Sequence, residues 1–189
     1  SVEGIQGNAV LGDPDSTKFA LCLESAPMPP AQAGVTLCTT QFCRPTLASA
    51  TVNAKAACLY PNNARMLREA AQKGFQNVLA CDQLGNVAET ATANVFMARD
   101  GEIFTPVPNG TFLNGITRQR AMTLLRDAGL TVHEQTLQLS DFHAADEVFM
   151  TGNISKVNPV TALNETVFEA GPVGKRVREL YWDWSFSTT

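Results

Sequence analysis

Apolar residues change their period repeatedly along this chain, and that switching limits the possible fold more than any other feature. Val35-Thr36-Leu37-Cys38-Thr39-Thr40-Gln41-Phe42 alternates at period two and reads as a strand. Tyr60, Ala64, Leu67 and Ala71 then recur at helical spacing, with Pro61 suited to a first turn and Gly74 to a stop. Phe75–Cys81 is a second strand pattern, followed by a turn at 82–86. Ala93–Ala98 and Glu102–Thr105 flank Arg99-Asp100-Gly101, a hairpin signal. A helix is expected from about Ile116 to Ala128, with Ile116, Leu124, Leu125 and Ala128 facing inward and Gly129 beyond its end. Thr131–Gln138, Glu147–Thr151 and Val157–Ala162 read as strands, and Ser140 as the cap of a short helix. The last helix starts at Pro172 and sets Val173, Val177, Leu180, Tyr181 and Trp184 on one stripe. Strands and helices interspersed with hairpins define an α+β (mixed α/β) domain and exclude an all-parallel sheet.

The first 34 residues differ from the rest. They hold one strand-like run, Lys18–Leu23, and then the proline-dense segment Pro27-Met28-Pro29-Pro30, which disfavours both helix and ladder. Residues 25–34 are therefore expected to link a remnant of one domain, 1–24, to a main domain, 35–189. The opening Ser-Val-Glu-Gly-Ile-Gln-Gly is no signal peptide, and a segment before Ser1 is expected. With 189 residues, 44% apolar and 17% charged, the chain can bury a real core. A net charge of −4 gives no basic surface for nucleic acid, and no apolar run is long enough for a membrane helix. The five cysteines include no C-x-x-C pair and read as reduced thiols of a cytoplasmic protein. His133 and His143 lack further ligands at useful spacing, so no metal site is expected.

Two isolated charges carry the chemistry. Lys55 is the only charged residue from Pro45 to Ala64, and its neighbours Asn53, Ala54, Ala56, Ala57 and Cys58 are small. Desolvation there would expose a nucleophilic amine; a surface lysine beside a helix start is the plain alternative. Glu89 is the only charge between Gln83 and Ala98. A carboxylate on an apolar strand needs a partner or stays protonated, and a ring nitrogen that must hold a proton is one such partner. The alternative is a turn-end glutamate facing water. Gly115-Ile116-Thr117 opens a helix, where backbone N–H groups favour an anion such as phosphate.

Taken in order, Asn53–Tyr60, Ala88–Phe96, Leu113–Arg118 and Ala145–Gly152 resemble the class IV (fold-type IV) pyridoxal-phosphate enzymes over about residues 35–185, with branched-chain amino-acid aminotransferases the nearest likeness. The resemblance implies the cofactor-binding domain of that fold, and it assigns roles. Lys55 would bond the cofactor and later shuttle a proton. Tyr60 would hydrogen-bond its phenolic oxygen, and Glu89 would keep its pyridine nitrogen protonated. Leu113, Ile116 and Thr117 would line the ring and hold the phosphate. Asn153 stands where relatives carry a phosphate-binding threonine, and Arg44 takes a supporting role. Also implied are aliphatic amino-acid and 2-oxo-acid substrates, with 2-oxoglutarate as acceptor, and a homodimer. An N-terminal domain of roughly ~100 residues would supply a phosphate-binding arginine and half the substrate pocket, which leaves the 189 residues alone weakly active or inactive. Thr90, Thr92 and Ala93 depart from the glycines usual after the glutamate. D-amino-acid aminotransferases and aminodeoxychorismate lyase share the framework, so transamination, a lyase reaction and a non-catalytic fragment all stay open.

Overall fold

The computed structural model describes residues 4–5, 8–27, 30 and 33–187. Two layers of helix lie on the outside of one strongly curled, mixed sheet. In chain order its strands are β3 (Val35–Thr39), β4 (Asn77–Cys81), β5 (Val87–Thr90), β6 (Asn94–Arg99), β7 (Glu102–Pro106), β8 (Val132–Gln135), β9 (Glu147–Gly152), β10 (Lys156–Leu163) and β11 (Thr166–Val167). They are arranged β5-β4-β3-β10-β9-β6-β7-β8, with β11 on β10. The β3–β4, β3–β10 and β7–β8 pairs are parallel and the rest antiparallel, as an α+β fold requires. The backbone N–H of Val87 donates to Leu137 O at 2.8 Å. That bond brings one edge of the sheet to the segment just past the other edge.

Period-two patterning then decides the faces. Leu37, Leu79, Val95, Met97, Val148 and Met150 point into the curl, where Phe104, Phe142 and Val160 complete the inner core. Their neighbours face out. Cys38, Val78 and Ala80 pack against α1 (Tyr60–Gln72). Phe96 and Phe149, stacked at 5.0 Å, pack with α2 (Ile116–Asp127) and α4 (Pro172–Ser187). The hairpin at 99–102 forms as expected, with Asp100 and Gly101 both at positive φ (53° and 79°).

The helices exist where periodicity places them, but two present other faces. In α1 the buried residues are Met66 and Ala70, while Tyr60, Ala64 and Ala71 are exposed. In α2 they are Arg118, Ala121, Met122 and Leu125, while Ile116 is 86% exposed and Ala128 is exposed. Leu67 and Leu125 of the expected stripes do pack inward, and around them the buried faces turn onto Met66 and Ala70 in α1 and onto Arg118, Ala121 and Met122 in α2. Ser140 lies inside α3 (Leu139–His143), whose cap is Gln138 in a reciprocal box with Asp141. The run 18–23 forms no strand. It is extended and exposed, with Phe19, Leu21 and Leu23 in solvent, because alternation needs a neighbouring ladder to become a strand. Ahead of it, β1 (Gly4–Ile5) and β2 (Asn8–Gly12) form a separate two-stranded sheet among the described residues.

Two buried charges fasten the outer helices. Arg118 is fully buried and donates to Thr105 Oγ1, Asn114 Oδ1, Pro106 O and Glu134 Oε2, tying α2 to β7 and β8. Glu147 accepts the backbone N–H groups of Val173 (3.0 Å) and Gly174 (2.6 Å), so its carboxylate caps α4. A Glu147→Ala variant leaves both donors without an acceptor and is expected to lose about 2 kcal/mol of stability, read from urea midpoints. Unchanged midpoints would remove the cap from the account.

Candidate active site

The gap between the α1 and α2 layers, on the outer face of the sheet, holds Glu89. Glu89 arrives there through a backbone irregularity. In the β4–β5 ladder Ala80 pairs with Glu89 but Cys81 pairs with Val87, so Ala88 is an extra residue in β5. Val87 therefore packs in the inner core, while Glu89 stands with Ala80 on the α1 side. The glutamate is buried, 8% exposed. Arg44 Nη2 lies 2.9 Å from its Oε1, and Asn94 Nδ2 donates to its Oε2 at 3.3 Å. Burial pushes the Glu89 carboxyl up to about 7, against the opposing pull of Arg44 and Lys55. A carboxylate needing a partner is what the sequence suggested, and this chain's own partner is Arg44.

Arg44 is itself buried and fully engaged. Its Nη1 donates to Asn63 Oδ1 at 2.6 Å, its Nε to Thr111 O at 3.3 Å, and its backbone N–H to Cys81 O at 2.9 Å. One guanidinium thus joins the start of α1, the segment before α2 and β5. Asn94, which the sequence reading missed, extends the cluster: the same Nδ2 donates to Leu113 O at 2.9 Å. Its only sequence signal is an amide beside an apolar strand, which is too common to single out.

From Leu113 the chain turns into α2. Gly115 is the N-cap, with extended backbone and no side-chain cap. A Cβ on Gly115 would collide with Asn94 Oδ1, so glycine is required by close approach. Thr117 is half-buried in the first turn, and Ile116 projects outward. Across the ladder from Asn94 lies Thr151. Among the described residues its Oγ1 is a buried side-chain atom without a hydrogen-bond partner. Asn153, exposed just beyond β9, accepts from Lys156 Nζ at 3.1 Å; among the described residues no hydrogen bond joins it to the Glu89 cluster.

Lys55 follows the plainer sequence reading, a surface lysine, and not the desolvated one. It lies in an exposed turn, not among buried groups. Small neighbours leave a long stem uncovered, since only bulk can shield it. The turn is nonetheless pinned: Val52 is fully buried, Ala54 N donates to Thr51 O, and Leu59 N to Ala56 O. Lys55 stays close enough for its charge to act on Glu89. Tyr60, the first residue of α1, is 52% exposed nearby in sequence. Among the described residues no group of three or more His, Cys, Asp or Glu could hold a metal.

An acid of raised pKa, a lysine acting on it, an uncapped helix start and an orphaned hydroxyl behind it form a set suited to a phosphorylated, aldehyde-bearing heterocycle. The profile of the amino-transferase class IV family matches residues 5–163, and the chain belongs to that family. It is 34% identical over 132 residues to the branched-chain-amino-acid aminotransferase of Escherichia coli K12, covering 68% of this chain and 43% of that protein. The crystal structure of an aminotransferase from Brucella abortus bound to the cofactor PLP superposes with a TM-score of 0.94 at 60% identity, over 97% of this chain and 65% of that one. A structure of the Escherichia coli branched-chain enzyme gives 0.75 at 31% identity, over 79% of this chain and 52% of that one. The chain thus spans less than half the length of the curated relative and about two thirds of the Brucella structure.

The raised Glu89 pKa fixes a sign for stability. The folded protein holds this proton more tightly than the unfolded chain, whose ordinary value is 4.5. The contribution is therefore fully present below about pH 4.5 and is lost as pH rises through about 7. Urea midpoints of the protein, relative to Glu89→Gln, are expected to fall between pH 5 and pH 8. In Arg44→Gln that fall moves to higher pH, because the pull on the carboxylate is gone. A difference that ignores pH would refute the assignment.

Proposed function

We propose that the intact protein is a pyridoxal 5′-phosphate-dependent aminotransferase acting on aliphatic, branched-chain amino acids with 2-oxoglutarate as acceptor, and that residues 35–189 are its cofactor-binding domain, joined through 25–34 to a domain of which 1–24 is part. The observation that carries this reading is the buried Glu89, held by Arg44 and Asn94 and acted on by Lys55. The branched-chain names of the relatives support the substrate class.

When bound, the cofactor draws electron density from the substrate α-carbon so that its proton can leave. This chain's residues do the rest. Glu89 keeps a proton at the ring nitrogen. A carboxyl balanced near 7 becomes fully ionised once a cationic ring nitrogen faces it. The first turn of α2, with Thr117, and the Thr151 hydroxyl suit the phosphate, and the family resemblance adds Leu113, Ile116 and Asn153 to the ring and phosphate contacts. Tyr60 Oη serves the phenolic oxygen. Lys55 Nζ would hold the cofactor's aldehyde carbon, and once the substrate amine displaced it, the freed amine would accept and return the proton. Its exposure in this chain calls for a cover from the remaining length that the relatives possess, which would exclude water during proton transfer. Arg44 holds the acid in place. The five free thiols support a cytoplasmic setting, and the family resemblance supports a homodimer. No helix among the described residues is long and apolar enough to cross a membrane.

The intact protein with cofactor should show a near-visible absorbance band that Lys55→Ala abolishes. It should convert leucine and 2-oxoglutarate to the 2-oxo acid and glutamate. Glu89→Gln should keep the cofactor but lose about 100-fold or more in rate. Pyruvate release from aminodeoxychorismate without leucine turnover would instead select the lyase reaction, and no band in the wild type would end the cofactor reading.

A further inference from the structure

Both partners of the Arg44–Glu89 pair are tied to one further buried acid. Asp82, 4% exposed, opens the turn between β4 and β5. Its Oδ1 accepts the backbone N–H groups of Leu84 (2.8 Å) and Asn86 (2.9 Å), and its Oδ2 accepts Asn86 Nδ2 at 2.9 Å. That turn delivers β5, and with it Glu89. The same Oδ2 also accepts Asn109 Nδ2 at 2.8 Å, from the loop between β7 and α2. Asn109 Oδ1 in turn accepts the backbone N–H and the hydroxyl of Thr111, at 3.2 and 2.6 Å, and Thr111 O accepts Arg44 Nε at 3.3 Å. Gly110, at a φ of 80°, lets the loop bend so that its own carbonyl accepts Leu47 N at 3.1 Å. Arg44 N donates to Cys81 O, which returns the path to the residue beside Asp82. Residues 44, 111, 109, 82 and 81 thus form a closed ring of bonds.

We propose that Asp82 is a positioning residue of the candidate active site, acting through Asn109 and Thr111 to hold the Arg44 guanidinium against Glu89. This role rests on the reading of Glu89 as the acid that keeps the cofactor's ring nitrogen protonated, and it names what holds that acid ready beforehand. Asp82 is ionised where it lies. Burial opposes its charge, but the donors of Asn86, Leu84 and Asn109 outweigh burial and keep the carboxyl below its ordinary value. It does not act on Glu89 by its own field, since the charges that bear on Glu89 are Arg44 and Lys55. Its influence is geometric. The guanidinium is a planar fork, and three acceptors on three segments, Glu89, Asn63 and Thr111, set its plane. Without Asn109 the Thr111 segment loses its anchor, the fork tilts, and the bond to Glu89 weakens.

The experiment follows the Glu89 carboxyl carbon by NMR in the intact protein without cofactor, carbon-13-labelled on glutamate, with the resonance assigned by its loss in Glu89→Gln. Asn109→Ala, a change at an exposed residue, should move the Glu89 titration to higher pH, in the direction expected of Arg44→Gln and by less. Asp82→Asn, which turns one acceptor oxygen into a donor, should shift it the same way. In an Arg44→Gln background Asn109→Ala should add no shift, because the link then has no guanidinium to hold. A titration left in place by Asn109→Ala, with only a pH-independent fall in urea midpoint, would overturn the proposal. So would a shift of equal size with and without Arg44. Asn109→Ala decides alone if Asp82→Asn fails to fold. The absorbance band of the intact protein with cofactor separates this role from the reading beneath it: a band with an unmoved titration removes the role alone, and no wild-type band removes both.

Discussion

The Arg44 guanidinium is the point through which the site is assembled. It bonds Glu89 on β5, Asn63 on α1 and the carbonyl of Thr111, and its own amide is tied to β4. Without it, a strand edge, a helix start and a connecting segment would meet at an unpaired carboxylate. A buried ion pair gives little net stability, because desolvating both partners costs about what their attraction returns. Its value lies in position: the acid has one direction to face, and burial still leaves it poised near neutrality, where a cation placed opposite it would decide its charge.

The two outer helices that rest on the same face treat their N-termini differently. At α4 the chain supplies its own anion, the Glu147 carboxylate, and the donors are satisfied. At α2 the cap is a glycine with no side chain to offer, and an unpartnered hydroxyl lies across the ladder from the asparagine it touches. One end is closed by structure. The other is suited to an anion from outside, as the family reading implies.

Much of this was legible in the sequence. Lys55 and Glu89 stand out because each is a lone charge in a long neutral stretch, and the α+β class follows from the switching of period. What was not legible depends on partners distant in sequence. Periodicity says that 60–72 is a helix but not which side the sheet will take, so Met66 and Ala70 replaced Ala64 and Ala71. Alternation at 18–23 carries no information on whether a ladder lies beside it. Arg118, Glu147 and Asn94 look like surface residues in sequence, and only the folded arrangement of their partners, Thr105 and Glu134, the start of α4, and Glu89 with Leu113, buries them. Small neighbours leave both a desolvated and a surface lysine open at position 55, and the exposed turn decides for the surface, since alanines are too short to shield the stem.

The extra residue at Ala88 has a consequence for how such a site persists. It makes the direction of the acid a matter of counting rather than of residue type. A substitution at Ala88 leaves that count unchanged. Pairing Ala88 in the regular period of two would put Val87 and Glu89 on one face. Insertions and deletions in this strand should therefore be purged far more strictly than substitutions.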